Sequence, residues 1–86
     1  MNSVQVKRVI EVIQDFPELG KRIRRAREQD KRSLSQICRE CGVSRSYWYQ
    51  LEGEDLRAPA TEEIVRRIEQ ALGVDLGVSF KEDNDD

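Results

Sequence analysis

The chain has 86 residues, of which 37% are hydrophobic and 37% charged, with a net charge of −2 and no histidine. A chain this short makes one domain and buries only about 60–65% of its unfolded surface, so its stability margin is thin and support from a partner subunit is plausible on that ground alone. No run approaches the roughly 20 apolar residues of a membrane helix, Lys7 and Arg8 interrupt the apolar N-terminus rather than precede it as a signal peptide requires, and no nucleophile–base pair, glycine-rich phosphate loop or metal cluster is legible, so the expectation is a cytoplasmic protein without cofactor that is not an enzyme.

Residues 1–18 read as a β-prone extension and a candidate dimerisation arm. The string "SVQVKRVIEVIQDF" holds six Val or Ile and no Ala or Leu. Val6, Val9, Ile10, Ile13 and Phe16 fit a helical stripe; Val4, Val6, Ile10 and Val12 share one face of a strand interrupted by Arg8. Periodicity leaves both open, and the β-branched enrichment favours the strand. A lone strand is unstable, so the segment is expected to pair with "VDLGVSF", Val74–Phe80, of its own or a partner chain.

A first helix runs over Leu19–Gln29, with Leu19, Ile23 and Ala26 on one side, Pro17 just before it, and "QDKR" to break it. Ser33 opens a second helix, and Ser33 with Gln36 has the spacing of a capping box. Leu34, Ile37, Cys38 and Cys41 form its apolar stripe. Cys38 and Cys41 are therefore read as small buried hydrophobes; a zinc site wants four ligands, and a thioredoxin-like motif wants a βαβ setting. Gly42 ends the helix in the left-handed conformation that glycine tolerates, and Ser44 caps a third helix, Arg45–Glu52. Two short helices joined by a Gly-containing turn are a helix-turn-helix signature. "GEDLRAPA" reads as a loop. Thr61 caps a fourth helix, with Glu62 and Glu63 well placed against its dipole, a stripe of Ile64, Val65, Ile68, Ala71 and Leu72, and Gly73 as its stop. Residues 77–86, ending in "KEDNDD", read as an acidic, partly disordered tail.

Charge is polarised along the chain. Leu19 to Arg57 holds ten Lys or Arg against six Asp or Glu, whereas Val74 to Asp86 holds one Lys against five acids. A basic central segment is what a nucleic-acid surface needs. Inside it, "SRSYWYQLEGE" sets Tyr47, Trp48 and Tyr49 side by side, and at about 100° per residue they cannot share one core. Trp48 and Leu51 mark the buried side of the third helix. Arg45, Ser46, Tyr49 and Gln50 fall opposite, and Tyr47 lies on the flank. Arg45, Ser46 and Gln50 are side chains suited to base-edge contact.

Taken together, "LGKRIRRAREQDKRSLSQICRECGVSRSYWYQLEGE" and "TEEIVRRIEQALGVDL" resemble the helix-turn-helix domain of the lambda repressor/Cro (XRE) family over roughly two-thirds of the chain, residues 19–76. The markers are Arg27 late in the first helix, Ser33 at the second, "CGVS" at the turn, Leu51-Glu52 closing the third, and "ALGV" after the fourth. The resemblance implies a mainly α bundle of four to five helices, here with short strands expected at the N- and C-terminal segments. It also implies that the helix from Arg45 enters a major groove of double-stranded DNA, with Arg45, Ser46, Tyr49 and Gln50 reading bases. Phosphate contacts would fall to Ser33, Ser44 and Tyr47, and Arg27 and Glu52 would form a structural ion pair. Two positions depart from the family pattern. Leu34 stands where the family usually has Gln, and "GEDLR" replaces a basic loop after the third helix, putting Glu54 and Asp55 where a cation would meet phosphate; Arg57 would take that part. The leading expectation is a sequence-specific transcriptional regulator acting as a homodimer on a palindromic operator. The alternative is a protein-interaction module, such as an antitoxin or regulatory subunit, on the same scaffold.

Overall fold

A computed structural model describes residues 3–8 and 12–80. Its elements run β1 (Ser3–Lys7), β2 (Ile13–Pro17), α1 (Leu19–Glu28), α2 (Leu34–Cys41), α3 (Arg45–Glu52), β3 (Ala60–Thr61) and α4 (Glu62–Leu72). The fold is mainly α: four helices among the described residues, with a small sheet laid against one end. Val9, Ile10 and the acidic run from Lys81 lie outside the described residues. None of the described helices is long and apolar enough to cross a membrane.

The helix boundaries follow local chemistry. The hydroxyls of Ser33, Ser44 and Thr61 accept the backbone N–H of Gln36, Tyr47 and Ile64 at 3.2, 3.0 and 3.2 Å, capping α2, α3 and α4. Gly42 and Gly73 end α2 and α4 at φ 74° and 67°, the left-handed region where a Cβ is strained. The helices then bury one stripe each. Leu19 and Ile23 of α1, Ile37 and Cys41 of α2, Trp48 and Leu51 of α3, and Val65 and Ile68 of α4 are all fully buried. Cys38 and Cys41 are buried free thiols, and burial raises both thiol pKa values, which keeps them protonated.

The terminal segments depart from the expected pairing. The N-terminal stretch is neither one strand nor one helix but an antiparallel hairpin, β1 with β2, in the register Ser3↔Pro17 to Lys7↔Ile13. The order of the three-stranded sheet is β2-β1-β3. β3, inside the stretch read as a loop, lies parallel to β1, with Val6 opposite Ala60. Val74–Phe80 forms no strand. Its backbone is bound by side chains instead: Arg22 Nη1 donates to Leu76 O (2.9 Å), Arg66 Nη2 to Val78 O (2.8 Å) and Gln14 Nε2 to Ser79 O (3.3 Å), while Leu76 N donates to Glu69 Oε2 (2.8 Å). Leu76, Val78 and Phe80 alternate inward, so the period of two is present without a ladder. β2 pairs with β1 along its whole length on one edge, and β3 pairs with Val6 and Lys7 on the other.

The N-terminal segment also shares the helices' core. Val4, Val6 and Phe16 are buried with the helical residues. Phe16 and Phe80 meet edge to face with centroids 5.6 Å apart, a geometry worth about 0.5–1.5 kcal/mol beyond the area it buries. Arg8 stacks over the Phe80 ring at 4.4 Å and donates to Glu62 at 2.9 and 3.0 Å, tying the hairpin to both the C-terminal segment and α4.

Candidate nucleic-acid interface

α2 and α3 are joined through Gly42 and Val43. Val43 N donates to Cys38 O at 3.1 Å, and its half-buried side chain packs on the core. This turn sets which side of α3 faces out. Trp48 and Leu51 are fully buried; Arg45, Ser46, Tyr49 and Gln50 are exposed, with Tyr49 at 59%. Tyr47 is half-buried on the flank, and burial raises its phenol pKa. Ser33 and Ser44 stand exposed at the starts of α2 and α3. Each hydroxyl accepts one backbone N–H and keeps its own O–H to donate outward. Arg57 is exposed in the loop after α3. The fold thus gathers Arg45, Ser46, Tyr49 and Gln50 on one face of one helix, and sets Ser33, Ser44 and Arg57 on three separate segments.

The orientation of α3 is held by a three-bond hub. Glu52 accepts from Arg27 Nε at 2.5 Å, from Arg27 Nη2 at 3.0 Å and from Trp48 Nε1 at 2.5 Å. The Glu52 side chain is 8% exposed and that of Arg27 26%. The hydrogen bond from Arg27 to Glu52 raises the guanidinium pKa. One carboxylate therefore joins α1 to α3 and also satisfies the indole N–H of the largest core residue.

A second α1–α3 contact was not legible in the sequence. A Cβ on Gly20 would lie 2.5 Å from Glu52 O and 2.6 Å from Leu51 O, so only glycine lets the start of α1 meet the end of α3. Glu18, at the N-cap of α1, makes no side-chain cap bond. The cap comes from elsewhere: Glu54 Oε2 accepts from Gly20 N at 3.0 Å. The signal for the close approach was Gly20 itself, a poor helix former inside a helical pattern. Glu54, read as an acid facing phosphate, turns inward.

Sorting the charges by partner sharpens the electrostatic picture. In Leu19–Arg57, Glu28, Asp30, Glu40 and Glu52 are ion-paired within the protein, Glu54 caps α1, and Asp55 is exposed. Arg32 is held by Asp30, Glu40 and the carbonyl of Ala71. The side chains of Lys21, Arg25, Lys31, Arg39, Arg45 and Arg57 are exposed and make no hydrogen bond or ion pair among the described residues. On α4, by contrast, Arg66 and Arg67 are paired with Glu62, Glu69 and Glu63. Within Leu19–Arg57 the exposed unpaired cations therefore outnumber the one exposed unpaired acid, Asp55; Lys7 of β1 is exposed and without a partner among the described residues as well.

The helix ends divide the same way. The first turn of α4 carries Glu62 and Glu63, whereas the first turns of α2 and α3 carry no acid. Their N-terminal partial positive charges and unpaired N–H groups are left for an external anion. Among the described residues no cluster of three or more His, Cys, Asp or Glu could hold a metal ion.

No curated protein and no solved structure matches the chain. A family model described as a helix-turn-helix domain matches residues 18–78, well over half of the 86. That span takes in all four helices, the capped α2–turn–α3 pair and the inward Leu76 and Val78, in keeping with a lambda repressor/Cro-like arrangement. On this match and this architecture, the chain belongs to the helix-turn-helix domain family.

Proposed function

We propose that the protein is a sequence-specific double-stranded DNA-binding regulator that inserts α3 into the major groove. What supports this reading is the polar exposed face of α3, together with two serine-capped helix starts whose first turns carry no acid. Arg45, Ser46, Tyr49 and Gln50 read base edges, with Arg45 donating two hydrogen bonds to guanine O6 and N7. Ser33, Ser44, Tyr47 and Arg57 contact phosphates and fix the register. Arg27 and Glu52 hold the reading helix in place. Selection of bound duplexes from a random pool tests the reading. An enriched motif supports it; recovery of no duplex above background at low salt overturns it.

A homodimer on a palindromic operator fits this role, since two reading heads must sit about one DNA turn apart. Val4, Val6, Phe16, Leu76, Val78 and Phe80 of the terminal segments are buried in the chain's own core, so they do not motivate a dimer. What supports one is β2, an edge strand of the sheet whose Ile13 is 50% exposed. Sedimentation of the full chain as a monomer at high concentration removes the dimer from the proposal. The alternative, a protein-interaction module such as an antitoxin or regulatory subunit, draws on the open concavity beside the same helix, lined by Ser46, Tyr49, Gln50, Gly53, Glu54 and Asp55. Its acidic rim and exposed tyrosine suit a basic partner segment, and a chain that binds no duplex at low salt would favour it.

A further inference from the structure

The alternation of the hairpin ladder fixes which way the backbone groups of β2 point. Arg8 N donates to Val12 O at 2.8 Å, a bond that continues the β1–β2 register. In an antiparallel ladder, hydrogen-bonded pairs alternate with pairs whose N–H and C=O groups point away from each other. Val6↔Gln14 and Val4↔Phe16 are therefore hydrogen-bonded, and Lys7↔Ile13 and Gln5↔Asp15 are not. On β1 the outward groups of Gln5 and Lys7 face β3, its other neighbour. On β2 the outward N–H and C=O groups of Ile13 and Asp15 face no strand, because the sheet ends there. Among the described residues no other backbone bond reaches either of them. Pro17 holds the next outward position and has no N–H, and at Glu18 the chain turns away with φ 65°. The outward donors of the described strand are thus those of Ile13 and Asp15.

This edge is self-complementary under a two-fold axis through Gln14. Ile13 then lies opposite Asp15 of a second copy, and Asp15 opposite its Ile13. Both become hydrogen-bonded pairs that exchange both N–H···O=C bonds, so every outward donor of the strand finds an acceptor. The neighbouring registers do worse. An axis through Asp15 sets two carboxylates directly opposite, which is destabilising, and sets Ile13 against Pro17, which returns no donor. An axis through Ile13 pairs only that residue with its copy within the described strand. The Gln14 register also places the two Ile13 side chains on one diagonal, about 7–8 Å apart and within reach of long side chains. Each is 50% exposed in the single chain. The two Asp15 carboxylates take the other diagonal, where a screening length of about 8 Å at physiological salt weakens their repulsion.

We infer that β2 pairs antiparallel with β2 of a second copy in the register Ile13↔Asp15, joining the two sheets in the order β3-β1-β2-β2-β1-β3. This gives the homodimer proposed above its interface and rests on that part of the reading. It does not depend on what α3 contacts.

The test joins sedimentation equilibrium of the full chain over a concentration series with amide hydrogen exchange read by NMR on the same samples. The mass rises from one chain toward two. The Ile13 and Asp15 amides, open to solvent in the single chain, slow in step with the dimer, to about one-tenth of their rate when about nine-tenths of the chain is paired. The Gln14 amide, bonded to β1, stays protected at every concentration. Asp15→Pro removes an outward donor that the β1 ladder never uses and gives a monomer. The exchange measurement needs no variant, so it decides the matter even where Asp15→Pro fails to fold. A dimer in which Ile13 and Asp15 exchange at the monomer rate overturns this interface and leaves the homodimer standing, as does a folded Asp15→Pro that dimerises like the parent. A chain that stays monomeric at high concentration overturns the interface and the homodimer together, while DNA binding is decided separately by duplex selection.

Discussion

Replacing Glu52 with Gln keeps the shape of the side chain and removes its charge. In the native hub the carboxylate accepts two hydrogen bonds from Arg27 and one from Trp48 Nε1. A carboxamide has one acceptor oxygen, and its NH2 group would face donors. At least one of those three donors then loses its acceptor, and the Arg27 guanidinium loses its countercharge. Breaking a buried ion pair costs about 3–5 kcal/mol, and breaking an exposed one under about 1 kcal/mol. Here Glu52 is almost enclosed, at 8% exposure, while Arg27, at 26%, recovers some water. The expected cost lies between those limits, at about 2–3 kcal/mol, close to one or two charge-assisted hydrogen bonds. For a domain of 60–100 residues each kcal/mol moves the melting temperature by about 4–8 °C, so a circular-dichroism melt should drop by at least about 8 °C. A second variant, Arg27→Met/Glu52→Leu, should recover part of the loss by removing both charges together, but not all of it, because Trp48 Nε1 keeps no acceptor. A Glu52→Gln melt within about 2 °C of the parent would falsify the claim that this hub sets the packing of α3 on α1.

Gly20→Ala should destabilise by about 1–3 kcal/mol through overpacking against the Leu51 and Glu52 carbonyls, although alanine is the better helix former by about 1 kcal/mol; a urea titration with an unchanged midpoint would contradict the close approach. The Asp30 pKa is lowered from 3.8 to about 2, chiefly by the hydrogen bond from the Arg32 side chain. A depressed carboxylate stabilises the fold above its unfolded value and loses that effect as pH falls through its folded value, so Asp30→Asn should flatten the decline in melting temperature between about pH 4 and 2, and a parallel acid profile for parent and variant counts against the pair. For the reading face, Arg45→Ala should weaken selected duplex more than random duplex, since one good bidentate contact discriminates by about 1–3 kcal/mol. Tyr47→Phe should weaken both by a similar factor with little change in salt slope; equal weakening of both duplexes by Arg45→Ala would make Arg45 a phosphate clamp.

The helix-turn-helix half is written in short-range chemistry, which is why it can be read from the chain. Ser33, Ser44 and Thr61 each satisfy a backbone N–H three residues ahead, Gly42 and Gly73 each supply one left-handed residue, and the burial of Trp48 and Leu51 opposite Arg45, Ser46, Tyr49 and Gln50 follows from a 3.6-residue repeat. None of these needs information from beyond a turn or two of helix. The hairpin is different. "KRVIEVI" has no Gly, Asn or Pro to announce a turn, and its β-branched run suits a strand throughout, so the reversal between β1 and β2 had no local marker. The path of Val74–Phe80 was hidden for a related reason: its alternation resembles a strand, but its backbone partners are the side chains of Arg22, Arg66, Glu69 and Gln14, drawn from distant parts of the chain. Glu54 makes the contrast sharpest. Its place after α3 was legible as a negative charge near an expected phosphate; whether that charge meets solvent or the N–H of Gly20, 34 residues earlier, depends on how closely α1 and α3 pack. Local propensities set the helices and the exposed polar face of α3, while the path of the terminal segments and the direction in which Glu54 points were decided by the tertiary packing.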